Sequence, residues 1–559
     1  MPRKNKKNIT PSSSRKEEKL QTKAPQADCP KPSAWKRCMP YAAAFALFYI
    51  FCTAVYGDVF ARTAEENYVS GDMTTMNFLT SQDWGWIFYI GRWMLLPFLS
   101  KWVGAAIMAL VLTASTSLLD RALGLSARLG GLCSFVPALA LAWILYRGTN
   151  IYHRNEPSLI ILVPMAILLF SAIIALAAWM LRKRNAANGE QGEGKMGKWA
   201  SLPIGLLSPI IVFAVLTFSA LKFNQNDILT ARMQLNYLRG DWEAMIEDAQ
   251  GAERPTRAVA AYYAIALVQT GQLLDRIYDI PFDYPSPRLD RNSGNEEYSI
   301  FESDCNLNAG LINPAYRCAM DQVVMYGPTT FDFKRLAIAS LLNGETNLTE
   351  KYLSLIEKMP FQQGFADKLR PMIADNTLIA QNETFARILS LYPKESRFEQ
   401  NYRQPAFLGY NLGLRQGSDA TLQTAIAAAL YSKAIDQSLP YIQILSQKNG
   451  GNLPAPVQQA LTIMAQKNPQ VAQVFPEIVR MNQPMLVSFF SVAKPIIDRR
   501  KADSAGKSAK EQEEIKTKYN AILREELKEE WLGTYFYYYY CENNDPSQTS
   551  EHKDKAGVN

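Results

Sequence analysis

Histidine is almost missing from this chain. Only His153 and His552 occur among 559 residues, which excludes a multi-histidine metal centre. The seven cysteines are scattered with no C-x-x-C pair, which excludes a zinc ribbon and a dense disulfide framework. No G-x-x-x-x-G-K-[ST] loop is present. The glycines of Gly192–Gly197 match G-x-G-x-x-G only in spacing, because they lie in a basic loop between two apolar runs rather than between a strand and a helix, so no Rossmann fingerprint is present. ATP- and dinucleotide-driven chemistry therefore has no support, and neither a cofactor nor a metal is expected.

Charge is also sparse, at 20% of residues against 48% hydrophobic, with a net charge of +7. The mean hydropathy of −0.13 suits a soluble protein, but it averages two unlike halves. Apolar residues are concentrated before about residue 222 and the remainder is polar. Residues 1–38 are rich in Lys, Ser and Pro. Arg3, Lys4, Lys6, Lys7, Arg15, Lys16, Lys19, Lys23, Lys31, Lys36 and Arg37 face only Glu17, Glu18 and Asp28. Such a segment cannot bury a core and reads as a disordered basic arm. It is too long and too charged for a signal-peptide n-region, and no small-residue cleavage site follows. Anionic lipid accounts for its charge, so nucleic acid is not expected as a partner.

Apolar runs at 39–56, 103–119, 130–146, 158–181 and 203–221 approach the roughly 20 residues needed to cross a bilayer core of about 30 Å. The run 83–100 is different. It holds Arg92, Pro97 and the headgroup-seeking Trp84, Trp86, Tyr89 and Trp93. Charge parity decides its role. The arm and the basic loop 182–198 (Arg182, Lys183, Arg184, Lys195, Lys198) both belong in the cytoplasm, so an even number of crossings separates them. Laying 83–100 in the outer interface satisfies this. Five spans then place everything after about residue 222 outside. Six spans, with a cytoplasmic C-terminal half, are the alternative, and Arg147 and Arg154 favour it.

From Asn224 onward the pattern is helix, glycine-centred turn, helix. LTARMQLNYLRGDWEAMIEDA turns at Gly240, AVAAYYAIALVQTGQLLDRIYDI at Gly271, and FKRLAIASLLNGETNLTEKYLSLIEKM at Gly344. Gly240 and Gly271 lie 31 residues apart, near the tetratricopeptide (TPR) period of roughly 34. An irregular insert (281–297) and a further pair around 311–324 make the array degenerate. Helices are also expected at 376–392, 420–447, 455–467, 484–497 and, highly charged, at 500–530. The aromatic run GTYFYYYYCEN (533–543) precedes a polar tail.

The succession NYLRGDWEAMIEDAQ, AIALVQTGQLLDRIYDI and AGLINPAYRCAMDQVVMYGPTTFDFKRLAIASLLNGETNLTEKYLSLIEKM resembles an uncharacterised Bacteroidota family, a domain of unknown function with several N-terminal spans and a TPR-like C-terminal half. The resemblance covers about 40–360 and is most specific over 231–360. It implies an architecture and a bacterial envelope location, and supplies no catalytic residues.

Candidate chemistry is confined to the outer loops. Asp58, Glu65, Glu66 and Asp72 follow the first span, Arg92 lies nearby, and His153, Arg154 and Glu156 sit in a second loop. This layout is similar to that of C-type glycosyltransferases, in which an outer-loop carboxylate acts as base or metal ligand and a cation holds a lipid phosphate. The plainer reading is solvated acidic loops, with Arg92 snorkelling to headgroups. Tyr535–Tyr540 read as a packing cap rather than a binding patch. Cys305 and Cys318 could pair only in an oxidising compartment, and Cys52 and Cys133 are packing residues. The acids over 241–367 read as solvating helix faces. A transporter subunit is a third option, without a charge pair inside the spans to support it.

The sequence thus predicts an all-α protein. A basic arm (1–38) precedes a transmembrane bundle (39–222) of about five spans plus an interfacial helix. A degenerate TPR-like α-solenoid (223–371), a further helical region (372–531) and an aromatic patch with a tail (532–559) follow. The expected setting is the bacterial inner membrane, N-terminus cytoplasmic and C-terminal half periplasmic. The expected partners are the bilayer and a protein on the repeat surface, and no feature specifies an oligomeric state. The reading is a non-enzymatic interaction protein; the alternative is a glycosyltransferase-like envelope enzyme using a lipid-linked sugar.

Overall fold

The computed structural model describes residues 34–81, 83–125, 129–147, 156–187, 204–282, 296–392 and 419–542. The basic arm up to residue 33, Arg154, His153 and the C-terminal tail lie outside these residues, and residues 34–38, expected to belong to the arm, instead begin the first helix. Among the described residues every regular element is helical.

Four helices are long and apolar enough to cross a membrane: Cys38–Val55, Lys101–Leu123, Leu159–Arg184 and Gly205–Phe223. They belong to α1 (Ala34–Ile50, extended by a π turn over Phe51–Val55), α5 (Lys101–Leu123), α7 (Leu159–Ala187) and α8 (Ile204–Phe223). The fifth expected span differs. Residues 132–134 form a 3₁₀ turn, and only Phe135–Arg147 is α-helical (α6). Contacts at its ends nevertheless carry it the height of the bundle. Ser134 Oγ lies 2.8 Å from Ser208 Oγ at the start of α8, and Asn224 Nδ2, just past the end of α8, donates to Leu145 O at 2.8 Å.

Similar contacts orient the other helices. At one end Asp120 of α5 accepts from the amides of Gly131 and Cys133 at 2.6 and 3.1 Å. Arg182 of α7 donates to Arg121 O and Ala122 O at 3.0 and 2.8 Å, capping the C-terminus of α5. A Cβ on Gly205 would sit 2.0 Å from Gly130 O, so only glycine permits this approach. At the other end Lys101 meets Asp58 at 3.3 Å, just beyond α1. The chain thus passes between the two ends five times. The start of α1 and the end of α7 share one end, and the chain after Asn224 leaves from the other.

The run 83–100 is not a long helix. It forms α4 (Gly85–Met94) and a 3₁₀ turn (Leu96–Leu99), and α4 pairs with α3 (Met73–Thr80). Trp84, Trp86 and Ile90 are exposed on this hairpin.

Beyond residue 224 the glycine turns form as expected: Gly240, Gly271 and Gly344 have φ of 74°, 74° and 75°, a region costly for a residue with a Cβ. They join α9 (Gln225–Arg239) to α10 (Trp242–Gln250), α11 (Arg257–Thr270) to α12 (Leu273–Arg276), and α15 (Thr330–Leu342) to α16 (Thr346–Glu357). Between them lie α13 (Glu296–Asn308) and α14 (Ile312–Tyr326); α17 (Gln363–Ala374), α18 (Thr377–Gln381) and α19 (Glu383–Ser390) follow. From α13 to α17 each helix packs on its sequence neighbour. Two features depart from an open stack. The second pair is cut short by the single-turn α12, and helices Asp419–Tyr431 and Ala455–Lys467 fold back onto it, while α19 packs on α13.

The aromatic run is Tyr535–Cys541, a helix whose Tyr535, Phe536, Tyr537 and Tyr538 are buried. Tyr538 packs 4.7 Å from the Tyr278 ring and 5.4 Å from Phe282, and its hydroxyl donates to Tyr431 O. This patch is core. The charged helix Ala509–Trp531 starts with a capping box made by Ser508 and Glu511.

Candidate functional site

The first span runs through its π turn into α2 (Gly57–Glu66), and α2 carries most of the candidate acids. Asp58, Arg62 and Glu66 are four residues apart and so share one helix face. That face lies against α9. Asp58 pairs with Arg232 at 2.9 Å as well as with Lys101. Glu66 pairs with Arg62 at 2.5 Å, and both are buried. Glu65 reaches Lys334 of α15 at 3.4 Å and accepts from Gln362 at 3.2 Å. Asp72, on the segment that follows, pairs with Lys358 at 3.4 Å.

Arg92 makes a bidentate pair with Glu156, both contacts 2.7 Å, and donates to Tyr68 O at 3.1 Å. The structure therefore brings Arg92 and Glu156 together. It does not bring Arg92 to Asp58, Glu65, Glu66 or Asp72; each of these acids instead meets a cation, three of them on the C-terminal half.

Behind α2 lies a chain of buried polar groups. Arg62 Nε donates to Gln234 Oε1 at 2.7 Å, and Gln234 Nε2 donates to the Tyr262 hydroxyl at 2.9 Å. That hydroxyl donates to Asp304 Oδ2 at 2.7 Å. Asp304 is 1% exposed and grips Arg335 through two contacts of 2.8 and 2.6 Å. Arg335 also reaches Asp332, which is fully buried, at 3.2 Å. Burial, then the neighbouring Asp304, pushes the Tyr262 phenol well above its ordinary value, so it remains a donor. Arg62 and Arg335 both lie over the Phe331 ring, at 5.5 and 5.9 Å. Asp304 and Asp332 correct the expectation that acids over 241–367 solvate helix faces. The cation that holds Asp304 lies on another helix, so helical periodicity could not reveal its burial, whereas Asp332 meets Arg335 three residues along its own helix.

This chain forms the floor of a cavity of 440 Å³. Gln234, Tyr262, Asp304 and Arg335 line its base, with Trp242, Phe331, Phe365 and Phe385 among its walls. Its walls draw mainly on alternate helices, α9, α11, α13, α15, α17 and α19, with Trp242 supplied by α10. Arg239, Lys368 and Glu383 are exposed members of the lining. Sequence reasoning missed this site. The one available signal was Arg239 beside the Gly240 turn, with Trp242 two residues on.

Cys305 and Cys318 are free thiols. Burial, then Glu302, pushes the Cys318 thiol up to about 12. Among the described residues no group of three or more His, Cys, Asp or Glu could hold a metal ion.

One family model matches, over residues 33–172 and 146–542, under the description of a family of unknown function (DUF6057). No curated protein and no solved structure matches the chain.

Proposed function

The chain belongs to DUF6057, a family of unknown function, and from that premise we propose that it is a membrane-anchored recognition protein. Its bundle of spans fixes a TPR-like helical half on the extracytoplasmic side, where that half receives a segment of another protein. The observation that carries this reading is the unbroken hydrogen-bonded path from Arg62, on the helix continuing the first span, to Asp304 and Arg335 on the cavity floor. Buried charges held this way are costly to separate, so the helical half is a fixed extension of the anchor rather than a tethered domain.

The side follows from charge. The start of α1 and the end of α7 lie at one end of the bundle, and the basic arm and Arg182–Arg184 belong to those segments. Positive segments are retained in the cytoplasm, and five passages leave α9 onward on the other face. In a bacterium this is the periplasmic face of the inner membrane. The exposed tryptophans of the α3–α4 hairpin suit the headgroup layer on that face.

Recognition is favoured over sugar transfer because Asp58, Glu65, Glu66 and Asp72 already neutralise cations that fasten the two halves. A general base needs a carboxylate within reach of substrate. The test is site-specific photo-crosslinking in intact cells from Leu238, an exposed cavity residue, compared with Ile522 on the charged helix. Discrete protein adducts at Leu238 alone are expected. Equal or absent adducts at both positions would contradict a recognition role.

A further inference from the structure

The cavity's polar groups fall into two sets. Those on the floor satisfy one another: Asp304 holds Arg335 and Tyr262, and Lys334 is held by Glu65. Those at the mouth are different. The side chains of Arg239, Lys368 and Glu383 make no ion pair or hydrogen bond with any other described residue, and all three are exposed. On the floor Asp304 and Asp332 share Arg335, and Lys334 is paired with Glu65, so no cation there is left unpaired, while the mouth offers two available cations and one available anion. Between mouth and floor stand Trp242, Phe331, Phe365 and Phe385. Aromatic walls of this kind accept a flat or branched apolar side chain. The volume of 440 Å³ lies within the roughly 300–1,000 Å³ of ligand pockets. It holds a few side chains rather than a folded surface.

We infer that the cavity binds a short extended peptide segment in which a carboxylate adjoins an aromatic side chain. The carboxylate bridges Arg239 and Lys368, the ring enters between Trp242 and Phe365, and backbone N–H groups of the segment donate to Glu383. The inference deepens the recognition reading and rests on it. It is specific in sign: a basic segment would face two cations at the mouth, and a purely apolar one would leave them desolvated without partners, which is unfavourable.

The probe is a pool of N-acetylated, C-amidated peptides centred on Phe-Asp, with a matched Phe-Asn pool and free N-acetylphenylalanine as references. Binding is read by equilibrium dialysis against the full-length protein in lipid nanodiscs. The Phe-Asp pool should be retained at least about tenfold more than the Phe-Asn pool. Arg239→Gln with Lys368→Gln should abolish that preference while retention of the Phe-Asn pool is unchanged, which also shows that the variant is folded. Equal retention of the two pools, no retention of either, or a preference that survives the double variant would overturn the inference. Retention of free N-acetylphenylalanine but not of the peptides would assign the site to a small aromatic acid and overturn the peptide assignment. Because the assay uses purified protein, its failure leaves the cellular crosslinking result standing, and the two readings fail separately.

Discussion

Helices α8 and α11 are both apolar along their length and meet different surroundings. Along α8, Ile210, Ile211, Val215 and Phe218 remain at least half exposed. Along α11, every residue from Ala258 to Val268 is at most 1% exposed. The difference lies in length and ends. α8 has 20 residues and a bundle behind only part of it, which leaves an apolar face long enough to meet a bilayer core. α11 has 14 residues, is capped by Thr256, and is closed by Gly271, so protein covers it on all sides. The two regions also hold charge differently. At the bundle end near Asp120 the charged side chains meet backbone groups, Asp120 the amides of Gly131 and Cys133 and Arg182 the carbonyls of Arg121 and Ala122, whereas the helical half buries whole ion pairs around Asp304. Apolarity therefore identifies a hydrophobic helix but not its solvent, and buried charge marks where protein is the solvent.

Four substitutions sharpen this contrast. The largest effect should come from the buried network. Arg335→Met leaves Asp304 and Asp332 uncompensated and should cost roughly 3–5 kcal/mol, read as a lowered thermal midpoint of the purified protein. On α8, Ile211→Arg sets a cation on the open face. It should cost roughly 2.5–3.5 kcal/mol in a membrane-insertion assay; no loss of insertion would mean that this face meets water. At the close approach, Gly205→Ala forces a Cβ against Gly130 O and should cost roughly 1–3 kcal/mol, measured by denaturant unfolding in micelles. The smallest effect is expected at Lys358→Ala, which removes a partly exposed pair with Asp72. It should change the denaturant midpoint only marginally, and less at high salt.

Much of this was legible because it is local. Four of the five apolar runs became long helices, the glycines at 240, 271 and 344 mark turns, and Tyr535–Tyr538 pack as core. The 83–100 segment is not the single helix expected of it: α4 ends at Met94 before a 3₁₀ turn, in keeping with its Arg92, Pro97 and clustered aromatics. What escaped is non-local. Asp58 meets Arg232, Glu65 meets Lys334, and Asp304 meets Arg335 on a helix two elements along. No periodicity connects such residues, so acids that looked like solvated loop and surface groups proved to be fasteners. The shortness of α6 was hidden for another reason: apolarity continues through residues 132–134 while the backbone there winds as a 3₁₀ turn.

The central claim is that an odd number of passages, five from the arm and one from Arg182–Arg184, separates the basic segments from the helical half, and the most direct test is sidedness in intact cells. In a cysteine-free background, Glu190→Cys and Glu345→Cys are exposed in turn to a membrane-impermeant maleimide. The account predicts that Glu345→Cys labels without permeabilisation and Glu190→Cys only after it. Protection of both until the membrane is opened would place the helical half in the cytoplasm and contradict the account.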